Sequence, residues 1–194
     1  MAGRYKAFNE EEVLSKAVEV FWLKGYEGAS TQDLLEAMKL NKGSLYNTFG
    51  SKKELFIRSI NHYAQEVLTK LDQDVENSDE PLEVIKDHFR NICDTPDYET
   101  HNKGCFFGNA LSELANIDSE LKKEADRKLK TVEDIYFKGL QIARQKGQLA
   151  NDGDLRILAQ YLLNTWNGIN LTRRMYPERE DLEAILKLSL SVLN

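Results

Sequence analysis

The chain has 194 residues and a net charge of −6, from 26 Lys plus Arg against 32 Asp plus Glu, and this acidity by itself argues against a nucleic-acid partner. Hydrophobic residues make up 41%, too many for a disordered chain, and no stretch approaches the roughly 20 apolar residues of a membrane helix. Two cysteines cannot form a disulfide framework, and residues 1–12 lack the apolar core of a secretory signal, so we expect a cytoplasmic protein.

Apolar residues recur at three- and four-residue spacing along most of the chain, which predicts an all-α protein. The first such stripe is Val13, Leu14, Ala17, Val20 and Phe21. It is followed by Gly25, a typical residue for ending a helix. No segment alternates apolar and polar residues with a period of two, and no Asn-Gly or Gly-Gly pair indicates a hairpin.

The first fifty residues predict three short helices, at about 9–24, 30–38 and 41–48. Lys39-Leu40 joins the second helix to the third, a connection short enough to predict a tight helix-turn-helix. Hydrogen-bond donors and small residues surround Leu45 in the third helix, a composition suited to the major groove of DNA. Gly43 costs about 1 kcal/mol relative to Ala inside a helix, which makes sense if the backbone must approach a partner closely.

A capping box opens the next helix. Ser51 and Glu54 can satisfy its first backbone N–H groups, and the helix runs to about Asp74, a length of about 35 Å. Lys52 and Lys53 at its start could together hold one phosphate.

Two runs in this region, GYEGASTQDL at 25–34 and LNKGSLYNTFGSKKELF at 40–56, resemble the DNA-binding domain of the TetR/AcrR family of bacterial transcriptional regulators. The family pattern ends in Lys-Gly-Thr/Ser-Leu-Tyr-x-x-Phe-x-Ser/Asn-Lys-x-x-Leu. The chain departs from it little, since Asn41 takes the place of a commoner Ser or Thr. The resemblance implies a three-helix DNA-binding domain at 1–58 and a larger helical ligand-binding and dimerisation domain at 59–194.

The same resemblance implies which residues face an operator: Thr31, Gln32, Lys42, Gly43, Ser44, Tyr46, Asn47, Thr48 and Lys52. In that arrangement Tyr46 and Lys52 bind phosphates. Gln32, Lys42 and Asn47 are better placed to contact base edges. The alternative makes Tyr46 a core aromatic of the three-helix unit, which is the interpretation that we adopt for Phe49.

The charge distribution agrees with a DNA-binding N-terminal part. Residues 1–58 hold 9 basic and 8 acidic side chains, whereas residues 59–194 hold 17 basic and 24 acidic ones. The acidity therefore belongs to the second domain. Arg4 and Lys6 precede the first helix, either as a short arm that contacts DNA or as a solvated tail.

Residues 59–194 predict six helices, the last two at 154–175 and 180–193. In the family, the corresponding pair packs against its copy as a four-helix bundle, so the resemblance implies a homodimer. A helix-turn-helix protein that binds a palindromic operator also has to be a dimer, because each half-site needs its own recognition helix. Alternatively, these apolar faces only close the core of one chain. Between Asp94 and Gly104, polar residues and Pro96 predict a surface loop.

Aromatic and amphipathic residues in this half predict a pocket for a small hydrophobic or aromatic effector: Phe89, Cys105, Phe106, Tyr136, Tyr161, Trp166 and Asn170. Each aromatic could equally be an ordinary core residue. Cys105 is placed in the first turn of a helix near Lys103 and His101, conditions that lower a thiol pKa. Some electrophile- and oxidant-sensing members of the family have a cysteine after a similar Lys-Gly pair. The competing interpretation is a small, buried, inert Cys105.

No catalytic motif accompanies these features. His62, His88 and His101 lack metal-ligand spacing, and there is no glycine-rich phosphate loop, so we expect no enzyme, no metal and no cofactor. The sequence predicts a repressor that binds a palindromic operator as a homodimer and is released by a small effector. The alternative is a helical module whose N-terminal unit binds a protein, with little dependence on salt.

Overall fold

The computed structural model describes residues 8–94, 98–176 and 178–194, and within them every regular element is a helix, which confirms the all-α prediction. In chain order these are α1 (Glu10–Gly28), α2 (Thr31–Met38), α3 (Lys42–Phe49), α4 (Lys52–Asn77), α5 (Pro81–Arg90), α6 (Tyr98–Lys103), α7 (Phe106–Leu114), α8 (Ser119–Gln145), α9 (Leu155–Thr172) and α10 (Arg179–Ser189). Short 3-10 turns follow α9 and α10. The arm containing Arg4 and Lys6 lies outside the described residues. No helix in the described ranges has the length and apolar character needed to cross a membrane.

Local capping chemistry sets the starts of the N-terminal helices. Ser30 and Asp33 form a reciprocal capping box at α2, and the Asn41 side chain accepts from the Ser44 backbone N–H at 2.8 Å at α3. Lys39, between these helices, adopts a left-handed conformation with φ of 54°. That single residue makes the predicted tight turn between α2 and α3.

Helix α1 is interrupted at Gly25, where φ is 74° and ψ is 172°. One further turn follows, and its backbone N–H groups at Tyr26 and Glu27 donate to the carboxylate of Glu113 at 2.9 and 2.8 Å. A Cβ at residue 25 would lie 2.8 Å from an oxygen of that carboxylate. The glycine therefore lets a carboxylate at the end of α7 cap the last turn of α1.

The long helices α4 and α8 form the centre of the molecule. α4 has 26 residues, about 39 Å, and packs against α1 on one side and α8 on the other. α8 also contacts α5, α7 and α9. α4 therefore passes from the three-helix unit into the larger helical unit without a break.

The prediction of a surface loop between Asp94 and Gly104 is wrong for residues 98–103, which form α6. The sequence of α6 has no apolar stripe, and its last turn is held by tertiary contacts. The Arg174 side chain donates to the backbone carbonyls of Asn102 at 2.8 Å and Lys103 at 3.1 Å. Pro96 lies outside the described residues.

Candidate DNA-binding surface and effector cavity

Helix α3 buries one face and exposes the other. Leu45 and Phe49 are 1% and 3% exposed, and the Phe49 ring packs in the core as expected. Tyr46 is 40% exposed, and Lys42 and Asn47 are exposed beside it. The exposure of Tyr46 removes its interpretation as a core aromatic. The free face of α3 therefore carries hydroxyl, ammonium and amide groups, which are the groups that contact phosphates and base edges.

The other residues predicted to face DNA border this helix face. Gly43 is exposed, and Ser44 and Thr48 are half-buried on α3. Thr31 and Gln32 open α2, where the Gln32 amide donates to Glu36 at 2.7 Å. We call the exposed face of α3, which carries Lys42, Gly43, Tyr46 and Asn47, the α3 surface.

Lys52 and Lys53 diverge at the start of α4. The Lys52 ammonium lies 4.7 Å from the ring centroid of Tyr26 and 3.5 Å from the Glu27 carbonyl oxygen, at the edge of the three-helix unit. The Lys53 ammonium instead pairs with Asp118 and Glu120 at 2.8 Å each, and hydrogen bonds to these carboxylates raise the pKa of Lys53. The prediction that both lysines hold one phosphate is therefore wrong for Lys53, which connects α4 to the start of α8.

Two adjoining cavities lie in the larger unit, with volumes of about 1100 and 1170 Å³. They share the lining residues Trp22, Lys103, Cys105, Phe106 and Asn170. The second, which we call the α5 cavity, runs between α4 and α5 and reaches the residues that follow α9. Its volume is sufficient for a drug-sized ligand.

An aromatic cluster forms one side of the α5 cavity. The His88 imidazole stacks on the Trp166 indole with centroids 4.0 Å apart and an angle of 18°. The His88 Nδ1 also lies 2.9 Å from the Tyr136 hydroxyl. Burial lowers the pKa of His88 to about 4, so its ring is neutral near pH 7.

The predicted effector-binding residues separate into three groups. Cys105, Phe106, Trp166 and Asn170 line the cavities. Phe89 and Tyr136 are fully buried behind that lining, in contact with His88 and Trp166. Tyr161 lines neither cavity, because it is 40% exposed on α9 and its hydroxyl donates to the Ser189 carbonyl oxygen at 3.2 Å. Tyr161 is therefore not brought together with the other six.

Cys105 is the N-cap residue of α7, and its sulfur accepts from the Gly108 backbone N–H at 3.4 Å. Burial raises the pKa of this thiol, and hydrogen bonds from Gly108 and Trp166 offset the effect only in part. The nearby Lys103 ammonium pairs with Glu19 at 2.6 Å. In this conformation the environment of Cys105 is thus opposite to the activating one that its neighbours in the sequence suggest.

Sequence reasoning missed other residues that line this cavity, among them Trp22, Tyr63, His88 and Arg173. Trp22 comes from α1 and Tyr63 from α4, so the cavity is lined in part by a helix of the three-helix unit. His88 lies four residues before Ile92, which also lines the cavity, and helical spacing could have indicated it. Arg173 had no such signal. No three His, Cys, Asp or Glu side chains converge as metal ligands within the described ranges.

A tight pair of short helices whose second member exposes polar donors defines a helix-turn-helix DNA-binding protein. Residues 13–58 match the family described as bacterial regulatory proteins, tetR family, and residues 81–188 match the tetracyclin repressor-like C-terminal domain. The chain belongs to the TetR family of bacterial transcriptional regulators, whose members are DNA-binding proteins rather than enzymes.

Relatives and solved structures agree along the full chain. The HTH-type transcriptional regulator YezE of Bacillus subtilis (strain 168) is 32% identical over 193 residues, which cover 99% of this chain and 100% of the relative. The HTH-type transcriptional repressor DhaR of Mycobacterium sp. (strain GP1) is 24% identical, over 94% and 91% of the two chains. A cysteine mutant of the TetR family regulator CifR, complexed with 26bp operator DNA, superposes with a TM-score of 0.85 at 25% identity, over 99% and 100% of the chains.

Proposed function

We propose that the protein is a ligand-responsive repressor that binds a palindromic operator as a homodimer and releases it when a small effector fills the cavity. The observation that carries the proposal is the α3 surface, where Lys42, Tyr46 and Asn47 are exposed together above a buried Leu45 and Phe49. In this proposal residues 1–58 bind DNA and residues 59–194 bind the effector and the second copy. DNA binding places the protein in the cytoplasm.

Exposed apolar side chains on the last helices support the homodimer. Ile157 and Leu171 of α9 are 62% and 66% exposed, and Leu188 of α10 is 76% exposed. Met175, in the turn after α9, is 71% exposed. Large apolar side chains left exposed on two successive helices are typical of a protein interface. A two-fold pairing there would present two copies of α3 to successive turns of the major groove.

Helix α7 supplies a short physical connection from cavity to DNA-binding unit. Its N-terminal residues Cys105 and Phe106 line both cavities, and Glu113 near its other end caps the last turn of α1. An effector that displaces α7 would disturb this cap, while α4 transmits any tilt directly into the three-helix unit. The effector need only bind the displaced state more tightly than the DNA-competent state. Cys105 is half-buried and its surroundings raise the pKa of the thiol, so the effector that we propose binds non-covalently.

Fluorescence anisotropy with DNA from upstream of the gene tests operator binding. Lys42→Ala and Tyr46→Ala should each weaken binding about tenfold or more, because a dimer loses each contact twice. Lys123→Ala, which removes an exposed lysine of α8, is the matched control and should bind as the wild type does. Undiminished affinity in both α3 variants would refute the assignment. Affinity that does not fall with rising salt would favour a protein partner instead.

A further inference from the structure

Arg173 is a buried cation that has no ion-pair partner in the part of the chain that the structure describes. The residue is 4% exposed, and no Asp or Glu in the described ranges forms an ion pair with it. Its two hydrogen bonds, to the Asn170 side-chain oxygen and the Thr100 carbonyl oxygen, are both 3.4 Å long, and its Nε has no partner. A guanidinium has five N–H donors, so most of them have no partner among the residues that the structure describes. Such an arrangement is costly unless an anion completes it.

The position of Arg173 indicates where that anion would sit. Arg173 lines the α5 cavity together with Asn170, Trp166 and His88. The stacked rings of His88 and Trp166 supply aromatic surface to the same cavity, and His88 is neutral near pH 7. Cavity and cation together resemble a site with an apolar compartment and one charged anchor.

The other charged groups of this cavity are differently placed. Glu66 and Lys70 are exposed on α4, and Asp87 is exposed and paired with Arg90. Lys103 is compensated by Glu19 at 2.6 Å. Among the described lining residues, Arg173 is thus the buried charge that lacks a partner. Water screens the exposed acids at the rim, whereas an anion beside Arg173 would interact in a low-dielectric environment.

We propose that the effector is an organic anion with a carboxylate headgroup that pairs with Arg173 and a planar apolar body that lies against Trp166 and His88. A planar guanidinium matches the two oxygens of a carboxylate and can bind both. The proposal rests on the proposed function, because it names the chemical class of the effector for the same cavity. It assigns Arg173 as a ligand-binding residue in addition to its contacts with α6.

Paired probes that differ only in charge test this assignment. Isothermal titration calorimetry on the full chain would compare 2-naphthoate and indole-3-acetate, each with its own neutral carboxamide. The acid that binds better should bind at least about tenfold more tightly than its amide, because only the acid brings a negative charge and two acceptor oxygens to the guanidinium. In Arg173→Gln the acid should lose this advantage while the amide binds as before. Arg173→Lys, which keeps the charge, should restore part of it.

The control variant is Arg179→Gln, which removes an exposed arginine that lines neither of the two cavities, and it should keep the preference for the acid. Equal binding of acid and amide by the wild type, or no binding of either acid at millimolar concentration, would overturn the proposal. So would a preference that survives Arg173→Gln. The wild-type comparison decides the question even if that variant does not fold.

Operator release by the acid is measured separately, in the anisotropy assay. If the acid binds but does not release the operator, the anion site is supported and its role as the effector site is overturned. If the protein does not bind DNA, the proposed function is overturned, and the anion site is still decided by the calorimetry.

Discussion

Replacing Gly25 with Ala should destabilise the protein through two separate effects. At φ of 74° and ψ of 172°, the backbone is in a region that essentially only glycine adopts, which costs about 1–3 kcal/mol for another residue. The new Cβ would also lie 2.8 Å from an oxygen of Glu113, so that carboxylate must move away from the N–H groups of Tyr26 and Glu27. Each lost hydrogen bond costs about 1 kcal/mol. The expected total is about 3 to 5 kcal/mol.

Urea unfolding of a double-mutant cycle separates these effects. In a Glu113→Ala background the collision is absent, so Gly25→Ala should cost only its backbone strain, and the two substitutions should be less than additive by about 1 kcal/mol or more. Gly28→Ala is the matched control, since a Cβ there meets only Lys24 at 3.8 Å. It should leave stability unchanged or raise it. Strict additivity, or a Gly25→Ala variant as stable as Gly28→Ala, would refute the reasoning.

Two further predictions concern the cavity and the dimer. The pKa of His88 is lowered to about 4 by burial, against about 6.5 in an unfolded chain, so the unfolded state takes up the proton first. Stability is therefore fully present above about pH 6.5 and falls as the pH falls toward 4, by about 2 kcal/mol between pH 7 and pH 5. In urea unfolding, the stability of His88→Phe should lack this loss between pH 7 and pH 5. The same pH dependence in His88→Phe and the wild type would contradict the prediction. Leu171→Glu with Leu188→Glu should convert a dimer into a monomer in light scattering. Ile117→Glu, at another exposed apolar residue on the loop before α8, should not. A dimer that persists would place the interface elsewhere.

The N-terminal helices were predictable because their signals are local. The apolar residues Leu45 and Phe49 recur with helical spacing, and the capping residues Ser30 and Asn41 lie immediately before the helices they cap. Tyr46 needed only its position on the opposite face to be predicted as exposed. Local rules of this kind act over three or four residues, so a single sequence contains them.

The cavity was only partly predictable, because its lining comes from distant parts of the chain. Cys105, Phe106, Trp166 and Asn170 were identified from their aromatic or amphipathic character, but the same criterion selected Tyr161, which faces outward. Helical spacing shows that two residues share a face; it does not show whether that face meets a cavity or solvent. That distinction depends on which helix packs opposite.

The sequence by itself determined the class of protein: the all-α architecture, the helix-turn-helix and the polar residues on its exposed face, all of which follow from short-range periodicity and capping. Only the tertiary structure decided how three charged side chains are used. Lys53 pairs with Asp118, and Glu113 accepts hydrogen bonds from the turn after Gly25. Arg173 is buried beside a cavity and has no counter-charge among the described residues. The energy of a charge depends on its burial and on its partners, and each of these residues has a partner 65 or more positions away in the chain.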